Sequence, residues 1–154
     1  KGYFHNEEAT RKAFTAEGWF ITGDLGLIDS DGYLFIKGRS KNIIVGPSGE
    51  NIYPEELEFH LSQNPCVLES LVYEQAGRIT ARVYLDMDAM EEAYHLSRLD
   101  GSEAARIVTQ KLESIRQEVN SKVAAYARIH RIIEQAEEFE KTATKKIKRY
   151  LYIN

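Results

Sequence analysis

The sequence has few of the features that mark secreted, membrane-spanning or polyanion-binding chains. It holds a single cysteine, Cys66, which excludes an internal disulfide and favours a reducing compartment, the cytoplasm. Its longest apolar runs, such as 43–45, are far too short to cross a bilayer, and the charged N-terminus lacks the apolar core of a signal peptide. The net charge of −4 gives no support to a general polyanion-binding role.

Metal-binding and nucleic-acid-binding motifs are also missing from the sequence. The turn at 29–32 carries the letters DSDG but lacks the further oxygen ligands of a calcium loop. No P-loop, RNP, KH or helix-turn-helix pattern is present, so no nucleic-acid partner is expected. The histidines have no metal-ligand spacing with the cysteine, which argues against a zinc site. They are scattered along the chain: His5, His60, His95 and His130.

Length and composition describe one globular domain, or one domain with a fragment of another. The chain has 154 residues, of which 43% are hydrophobic and 29% charged. This length is enough for one ordinary hydrophobic core. The chain begins with Lys1 rather than Met, and we therefore expect it to be cut from a longer protein.

Hydrophobic periodicity and turn residues predict an α+β fold, with a small antiparallel sheet covered by helices. Strands are expected in hairpins at 24–37, 42–52 and 67–85 and as a single strand at 128–133. Helices are expected at 7–14, 54–64, 88–96 and 102–124, with a final helical turn or two at 146–152. Ser102 is the expected N-cap of the longest helix.

Three short blocks combine charged residues with small or turn-forming neighbours: WFITGD at 19–24, GRSK at 38–41 and TATKKI at 142–147. A carboxylate such as Asp24 can accept hydrogen bonds from the two vicinal hydroxyls of a ribose, and Arg39 offers a planar donor fork for a phosphate or ribose oxygen. Taken alone, each has a simpler explanation, because short motifs are weak. Asp24 could cap a hairpin, and Arg39 could form a surface salt bridge.

Two further candidates also have ordinary structural explanations. Gly49 lies in the loop 46–50, where a missing side chain would let a narrow ligand arm pass the backbone, and where a turn glycine is needed in any case. Lys146 is a compact cation suited to developing phosphate charge. The alternative is that Lys146 belongs to a basic, solvated tail at 145–149.

In this order, with GENIYPEE at 49–56 between the second and third, the blocks resemble the C-terminal end of an adenylate-forming enzyme, closest to a long-chain fatty acid–CoA ligase. The resemblance covers essentially the whole chain. It implies that residues 1–40 are a hairpin at the C-terminal end of a large N-terminal adenylation domain. Residues 41–154 would then be the C-terminal lid domain of the same enzyme.

The resemblance also implies a role for five residues. Asp24 would hold the ATP ribose, and Arg39 the ribose and phosphate. Lys41 would be the hinge about which the lid swings, at a position that can absorb changes in backbone dihedrals. Gly49 would lie on the path of the CoA pantetheine, and Lys146 would contact the substrate carboxylate and the α-phosphate.

One position departs from the family pattern, because Lys145 stands where the family mostly has glycine. The departure leaves two lysines in contention for the catalytic role. We assign it to Lys146 because Ile147 follows it in register with the family's terminal block.

The implied function is that of an ATP-dependent long-chain fatty acid–CoA ligase, which forms an acyl-adenylate and then a thioester. The implied partners are a fatty acid, ATP, Mg²⁺ and CoA, bound mainly by the missing N-terminal domain, and the 154-residue fragment alone is expected to be inactive. The expected location is the cytoplasm, with peripheral membrane association of the full-length enzyme as an alternative. Two other functions stay open: another adenylating ligase, acting on an aryl acid or an acyl-carrier protein, and a free-standing module that binds a nucleotide, CoA or a partner protein.

Overall fold

The computed structural model describes residues 2–153 of the chain. It forms two compact units, Lys1–Lys41 and Asn42–Asn154. Each unit is described separately. None of the helices in residues 2–153 is long and apolar enough to cross a membrane.

The first unit consists of one short helix and one hairpin. Helix α1, Glu7–Ala13, begins after Asn6, whose side chain accepts a hydrogen bond from the amide of Ala9. Strands β1, Asp24–Ile28, and β2, Leu34–Arg39, pair in antiparallel fashion. The turn between them is held by the Asp29 carboxylate, which accepts hydrogen bonds from the amides of residues 31 and 33.

A three-stranded mixed sheet forms the centre of the second unit. Its strands are β5, Val67–Gln75, β6, Arg78–Leu85, and β7, Arg131–Glu134, in the order β5-β6-β7. A separate two-stranded ladder joins β3, Ile44–Val45, to β4, Asn51–Ile52. The α+β class is confirmed, but the expected purely antiparallel sheet is not, because β7 runs parallel to β6. The helical crossover between β6 and β7 brings the chain back in the same direction, which a tight hairpin cannot do.

Three helices accompany the sheet, and their limits differ by only one or two residues from those expected. They are α2, Pro54–Ser62, α3, Met87–Tyr94, and α4, Gly101–Lys122. The N-cap of α4 is Asp100 rather than the expected Ser102, because its carboxylate accepts hydrogen bonds from the amides of Ser102 and Glu103. The expected helix at 146–152 is wrong in extent, since only a 3-10 turn forms there, Arg149–Leu151. Further 3-10 turns lie at Ser40–Asn42, Leu96–Arg98 and Ala125–Ala127.

The core of the second unit lies between the sheet and the buried faces of α2 and α4. Helix α2 contributes Leu57 and Leu61, and β5 contributes Val72, all of them buried. The buried residues of α4 recur at three- and four-residue spacing: Val108, Leu112, Ile115 and Val119. Burial of each such side chain stabilises the fold by about 1.5–3 kcal/mol.

A smaller apolar cluster is formed by neighbours of Val72 on β5 and by the terminal segment. Leu71 and Tyr73 flank Val72 in β5, and they pack in this second cluster with Phe139. Side chains alternate between the two faces of a strand, so one strand serves both clusters. Phe139 precedes the loop 142–146 and lies in the second cluster, while Ile147 follows the loop and packs against this cluster, so both ends of this loop are anchored.

Candidate functional site

Asp24 and Arg39 form an ion pair across the hairpin of the first unit. They are register partners in β1 and β2, and the Arg39 Nε lies 2.8 Å from the Asp24 Oδ1. Arg39 also donates from Nη1 to the carbonyl oxygen of Thr22 at 3.4 Å. Both side chains keep substantial exposure, and such a pair contributes only about 0–1 kcal/mol to stability. The surface salt bridge anticipated for Arg39 is therefore present, and the two charged groups remain reachable from solvent.

The backbone before Asp24 is fixed against the start of the Ser40–Asn42 turn. Gly23 has a left-handed φ of +73°, and its carbonyl oxygen accepts hydrogen bonds from both the amide and the hydroxyl of Ser40. These bonds join the first block of the sequence to the second. Lys41 lies inside this turn and is exposed.

The residue after Lys41 is anchored in the second unit. The Asn42 side-chain amide donates to the Glu55 Oε1 of α2 at 2.6 Å. Lys41 therefore lies directly before an anchored residue, which is the setting in which backbone rotation is confined to one or two positions.

Gly49 lies in an open loop between β3 and β4. The loop is closed by backbone hydrogen bonds from the Gly46 amide to the Glu50 oxygen and from the Gly49 amide to the Gly46 oxygen, at 2.8 and 2.9 Å. Gly49 has a φ of +88°, and a Cβ built on it would meet nothing within 4 Å. The positive φ by itself accounts for a glycine here, and the open space leaves its backbone accessible.

A pocket of about 420 Å³ adjoins this loop within the second unit. Its lining includes Gly46 and Pro47 of the loop and three basic side chains, Arg78, Arg128 and His130. The Arg78 Nη1 donates to the His130 Nε2 at 2.7 Å. The scattered positions of the histidines predict no role for His130, so this cluster is seen only in the structure. Pairing of β7 with β6 brings the two residues together, and no local signal in the sequence predicts that pairing.

Lys146 lies on a tight loop that closes on itself through backbone hydrogen bonds. The Thr142 amide donates to the Lys146 oxygen at 2.8 Å and the Lys145 amide to the Thr142 oxygen at 2.9 Å. An isolated bridge pairs Lys141 with Ile147 at the base of the loop. The side chains of both Lys145 and Lys146 are exposed. Within residues 2–153 the Lys146 ammonium has no ion-pair partner.

Lys145 adopts a backbone conformation that favours glycine. Its φ is +58°, in the left-handed region, which L-residues with a Cβ occupy at a cost of about 1–2 kcal/mol. This is the position at which the resemblance leads us to expect glycine. The left-handed conformation explains why glycine would be favoured at position 145. Lys146 is the next residue in the chain.

The basic residues after Lys146 are not a solvated tail. The Lys148 Nζ lies 3.0 Å from the Glu140 Oε2, and the Arg149 Nη1 lies 2.6 Å from the Glu58 Oε1. Lys141, at the other side of the loop, pairs with Glu69 of β5 and with Glu138. The tail interpretation therefore fails for residues 148–149, because Glu140, eight positions from Lys148, and Glu58, 91 positions from Arg149, bind them. The basic run in the sequence does not indicate either partner.

The described residues hold no cluster of three or more His, Cys, Asp or Glu side chains that could bind a metal ion. The charged candidate groups described above are cations and the carboxylate of Asp24. The first unit offers an ion-paired Asp and Arg, and the second offers an exposed lysine on a rigid loop and a basic pocket beside a glycine loop.

Comparison with known proteins assigns this fold to a class. No family model matches the chain. The O-succinylbenzoate coenzyme A synthetase MenE from Bacillus subtilis, solved in complex with AMP, superposes with a TM-score of 0.71 at 25% identity, over 100% of this chain and 28% of that one. The fold is therefore that of the C-terminal region of adenylate-forming enzymes.

Two curated relatives agree with the structural comparison. The long-chain-fatty-acid–CoA ligase FadD15 of Mycobacterium tuberculosis is 46% identical over 91 residues, 58% of this chain and 15% of its own length. The probable acyl-activating enzyme 4 of Arabidopsis thaliana is 34% identical over 150 residues, 97% of this chain and 25% of its own. The chain belongs to the adenylate-forming, or acyl-CoA synthetase, superfamily. It spans between about a seventh and a quarter of the length of these relatives.

Proposed function

We propose that these residues are the C-terminal part of an ATP-dependent acid–CoA ligase. The observation that carries the proposal is Lys146, an exposed cation on a tight loop anchored on both sides, in a chain that belongs to the adenylate-forming superfamily. We assign residues 1–40 to the end of a large N-terminal adenylation domain and residues 41–154 to the lid domain. The single cysteine supports a cytoplasmic location.

The exposed apolar side chains of the hairpin support this division. Both faces of β1 and β2 are exposed, so the hairpin has no core of its own. A contiguous apolar surface of this kind indicates a missing packing partner. The N-terminal domain of the same chain would be that partner. The exposed side chains are Leu27, Ile28, Tyr33, Leu34, Phe35 and Ile36.

In the first half-reaction, a carboxylate oxygen of the acid attacks the α-phosphorus of ATP, and the bond to the leaving pyrophosphate breaks. The Lys146 ammonium would stabilise the negative charge that develops on the attacking oxygen and the α-phosphate. Asp24 would accept hydrogen bonds from the ribose hydroxyls, while Arg39 would hold ribose and phosphate oxygens. ATP and Mg²⁺ would be bound mainly by the N-terminal domain.

In the second half-reaction, the CoA thiol attacks the acyl carbon and displaces AMP. Rotation at Lys41 would bring the Gly49 loop to the reacting centre, where the backbone without a side chain leaves room for the pantetheine. The adjoining pocket supports this assignment, because its basic residues Arg78, Arg128 and His130, which outnumber its one acidic residue, Glu74, would suit the phosphates of CoA.

We further propose a long-chain fatty acid as the substrate. The terminal sequence from Glu140 to Tyr152 resembles that of the long-chain subgroup, and FadD15 is a relative named for this substrate. An aryl acid or an acyl-carrier-protein ligase is the alternative, since MenE is named for O-succinylbenzoate.

The complete gene product that contains these residues provides the test. ATP–pyrophosphate exchange should depend on an added acid and be fastest with long-chain fatty acids, while the 154-residue chain alone should give none. Exchange fastest with an aryl acid would reject the long-chain assignment and keep the ligase. A complete product without exchange for any acid, or a start codon directly upstream of residue 1, would favour a module that only binds a nucleotide, CoA or a partner.

A further inference from the structure

Two side chains that are far apart in the sequence bind the backbone N–H and C=O groups of one residue, Val72, in the edge strand β5. The Glu58 Oε1 accepts a hydrogen bond from the Val72 amide at 2.8 Å. The Arg149 Nη2 donates to the carbonyl oxygen of the same residue, Val72. The two side chains also bind each other, with the Arg149 Nη1 at 2.6 Å from the Glu58 Oε1.

This arrangement meets a requirement of the edge strand. Strand β5 pairs only with β6 in the described sheet, so backbone groups on its other edge need partners from elsewhere. Glu58 of α2 and Arg149 of the terminal segment supply both partners for Val72. The forked guanidinium of Arg149 suits this position, because its Nη1 binds the Glu58 carboxylate while its Nη2 binds the Val72 carbonyl oxygen.

The pair is shielded from water. The side chains of Arg149 and Glu58 are only 21% and 20% exposed, whereas both members of the Lys12–Glu8 pair are more than two-thirds exposed. Burial raises the pKa of Glu58, and the Arg149 charge and the Val72 amide oppose that rise. A buried ion pair of this kind adds little net stability but restricts geometry.

Arg149 closely follows Lys146, and the segment between them is paired with the chain before the loop. The Lys148 amide donates to the Glu140 oxygen at 2.8 Å, and Ile147 is bridged to Lys141. Any displacement of Arg149 is therefore transmitted to the base of the loop that carries Lys146.

We propose that Glu58 and Arg149 are positioning residues for Lys146: their ion pair locks the segment after Lys146 onto α2 and β5, so that the ammonium is presented in one orientation. The inference rests on the proposed function of Lys146. It assigns to α2 a role in adenylation although neither Glu58 nor Arg149 contacts the reacting atoms.

Hydrogen exchange of the 154-residue chain tests the positioning directly. In Arg149→Met, exchange of the amides of residues 142, 145 and 148 should accelerate by about 10-fold or more, while that of α4 stays unchanged. Glu113→Gln is the matched control, because Glu113 pairs with Arg116 on α4, and it should leave the loop unaffected. Unchanged loop exchange in Arg149→Met overturns the proposal, as does equal acceleration throughout the second unit.

The kinetic test uses the complete gene product. Arg149→Met should lower kcat for adenylation by about 10–100-fold with little change in KM, because a misplaced group loses transition-state contact rather than substrate binding. Conversion of supplied acyl-adenylate to the thioester should be unchanged. Arg149→Lys should restore adenylation only in part, since it keeps the charge but loses the fork.

Different results would contradict the proposed function of Lys146 and the positioning role of Glu58 and Arg149. Equal loss in both half-reactions would show that the pair only maintains the fold, which overturns positioning. If Lys146→Ala leaves adenylation intact, the proposed function of Lys146 is wrong, and the positioning role in catalysis falls with it. The exchange result would then still decide whether Glu58 and Arg149 order the loop.

Discussion

The two compact units differ in how far their apolar side chains are buried. In the second unit, two helices and a mixed sheet enclose a core that includes Leu61, Ile115 and Val83, all of them nearly or fully buried. Among residues 2–41, only Gly38 is buried, although the hairpin is rich in leucine, isoleucine and aromatic residues. A unit that buries so little apolar surface cannot offset its loss of chain entropy. We therefore expect the second unit to fold alone and the first to require a partner.

Truncation of one isoleucine in each unit tests the difference in burial most directly. Ile115→Ala, at a side chain only 1% exposed, should lower the free energy of unfolding by about 2–5 kcal/mol, since it leaves a cavity. Ile36→Ala, at a side chain 63% exposed, should change it by less than about 0.5 kcal/mol. Urea unfolding of the 154-residue chain measures both. Equal losses would mean that this chain buries the hairpin after all.

The two units also differ in their proposed chemical roles, because the proposed catalytic lysine, Lys146, lies in the second unit. In the complete gene product, Lys146→Ala should slow adenylation by about 10²–10³-fold, the usual loss for one preorganised electrostatic contact. The thioester step from supplied acyl-adenylate should be nearly unaffected. Lys145→Ala is the control. A larger loss of adenylation in that variant would assign the catalytic role to Lys145.

Movement between the units can be tested at Lys41. Lys41→Pro fixes φ near −65° and should slow the thioester step by at least about 10-fold while pyrophosphate exchange survives. Lys37→Ala, in β2 rather than in the connecting turn, serves as the control and should leave both steps intact. Unimpaired turnover in Lys41→Pro would move the hinge to another residue.

A smaller effect on stability is expected at Lys145, in the loop 142–146. Lys145→Gly should stabilise the second unit by about 0.5 kcal/mol, because relief of the left-handed φ of +58° outweighs the added entropy of glycine in the unfolded chain. Lys145→Ala keeps the Cβ and should bring no gain. Thermal unfolding of the two variants side by side makes the comparison, and equal stability would argue against strain at this position.

The smallest expected effect concerns the surface of α4. Hydrogen bonds from Arg116 and then Gln117 lower the pKa of Glu113 to about 2. Because the pKa is lowered on folding, the carboxylate contributes stability above its unfolded pKa of 4.5, and this contribution is lost as the pH falls towards 2. The pair is partly exposed, so the contribution should stay below about 0.5 kcal/mol, as for other exposed ion pairs within a helix. Glu113→Gln should flatten the stability profile in this window; an unchanged profile would mean that the pair contributes nothing.

Much of the local structure could be predicted from the sequence. Pro54 with Glu55 and Glu56 indicated the start of α2. Gly77 indicates the turn of the β5–β6 hairpin, because glycine accepts the positive φ that it adopts there. Turn residues and the spacing of apolar residues specify such elements, and both can be recognised within a few residues of sequence. The error at the start of α4 was of the same local kind, since Asp100 and Ser102 are both good caps and the geometry chose Asp100.

The sequence by itself determined the order of elements, the α+β class, the blocks that carry the resemblance and Lys146 as the leading candidate. Only the tertiary structure decided that β7 runs parallel to β6, that Arg78 meets His130, and that Arg149 lies against Glu58 rather than in solvent. These contacts join residues 51 to 91 positions apart. They depend on the pairing of distant strands and on partners for the backbone groups at the free edge of β5, and neither is indicated by the residues next to them in the chain.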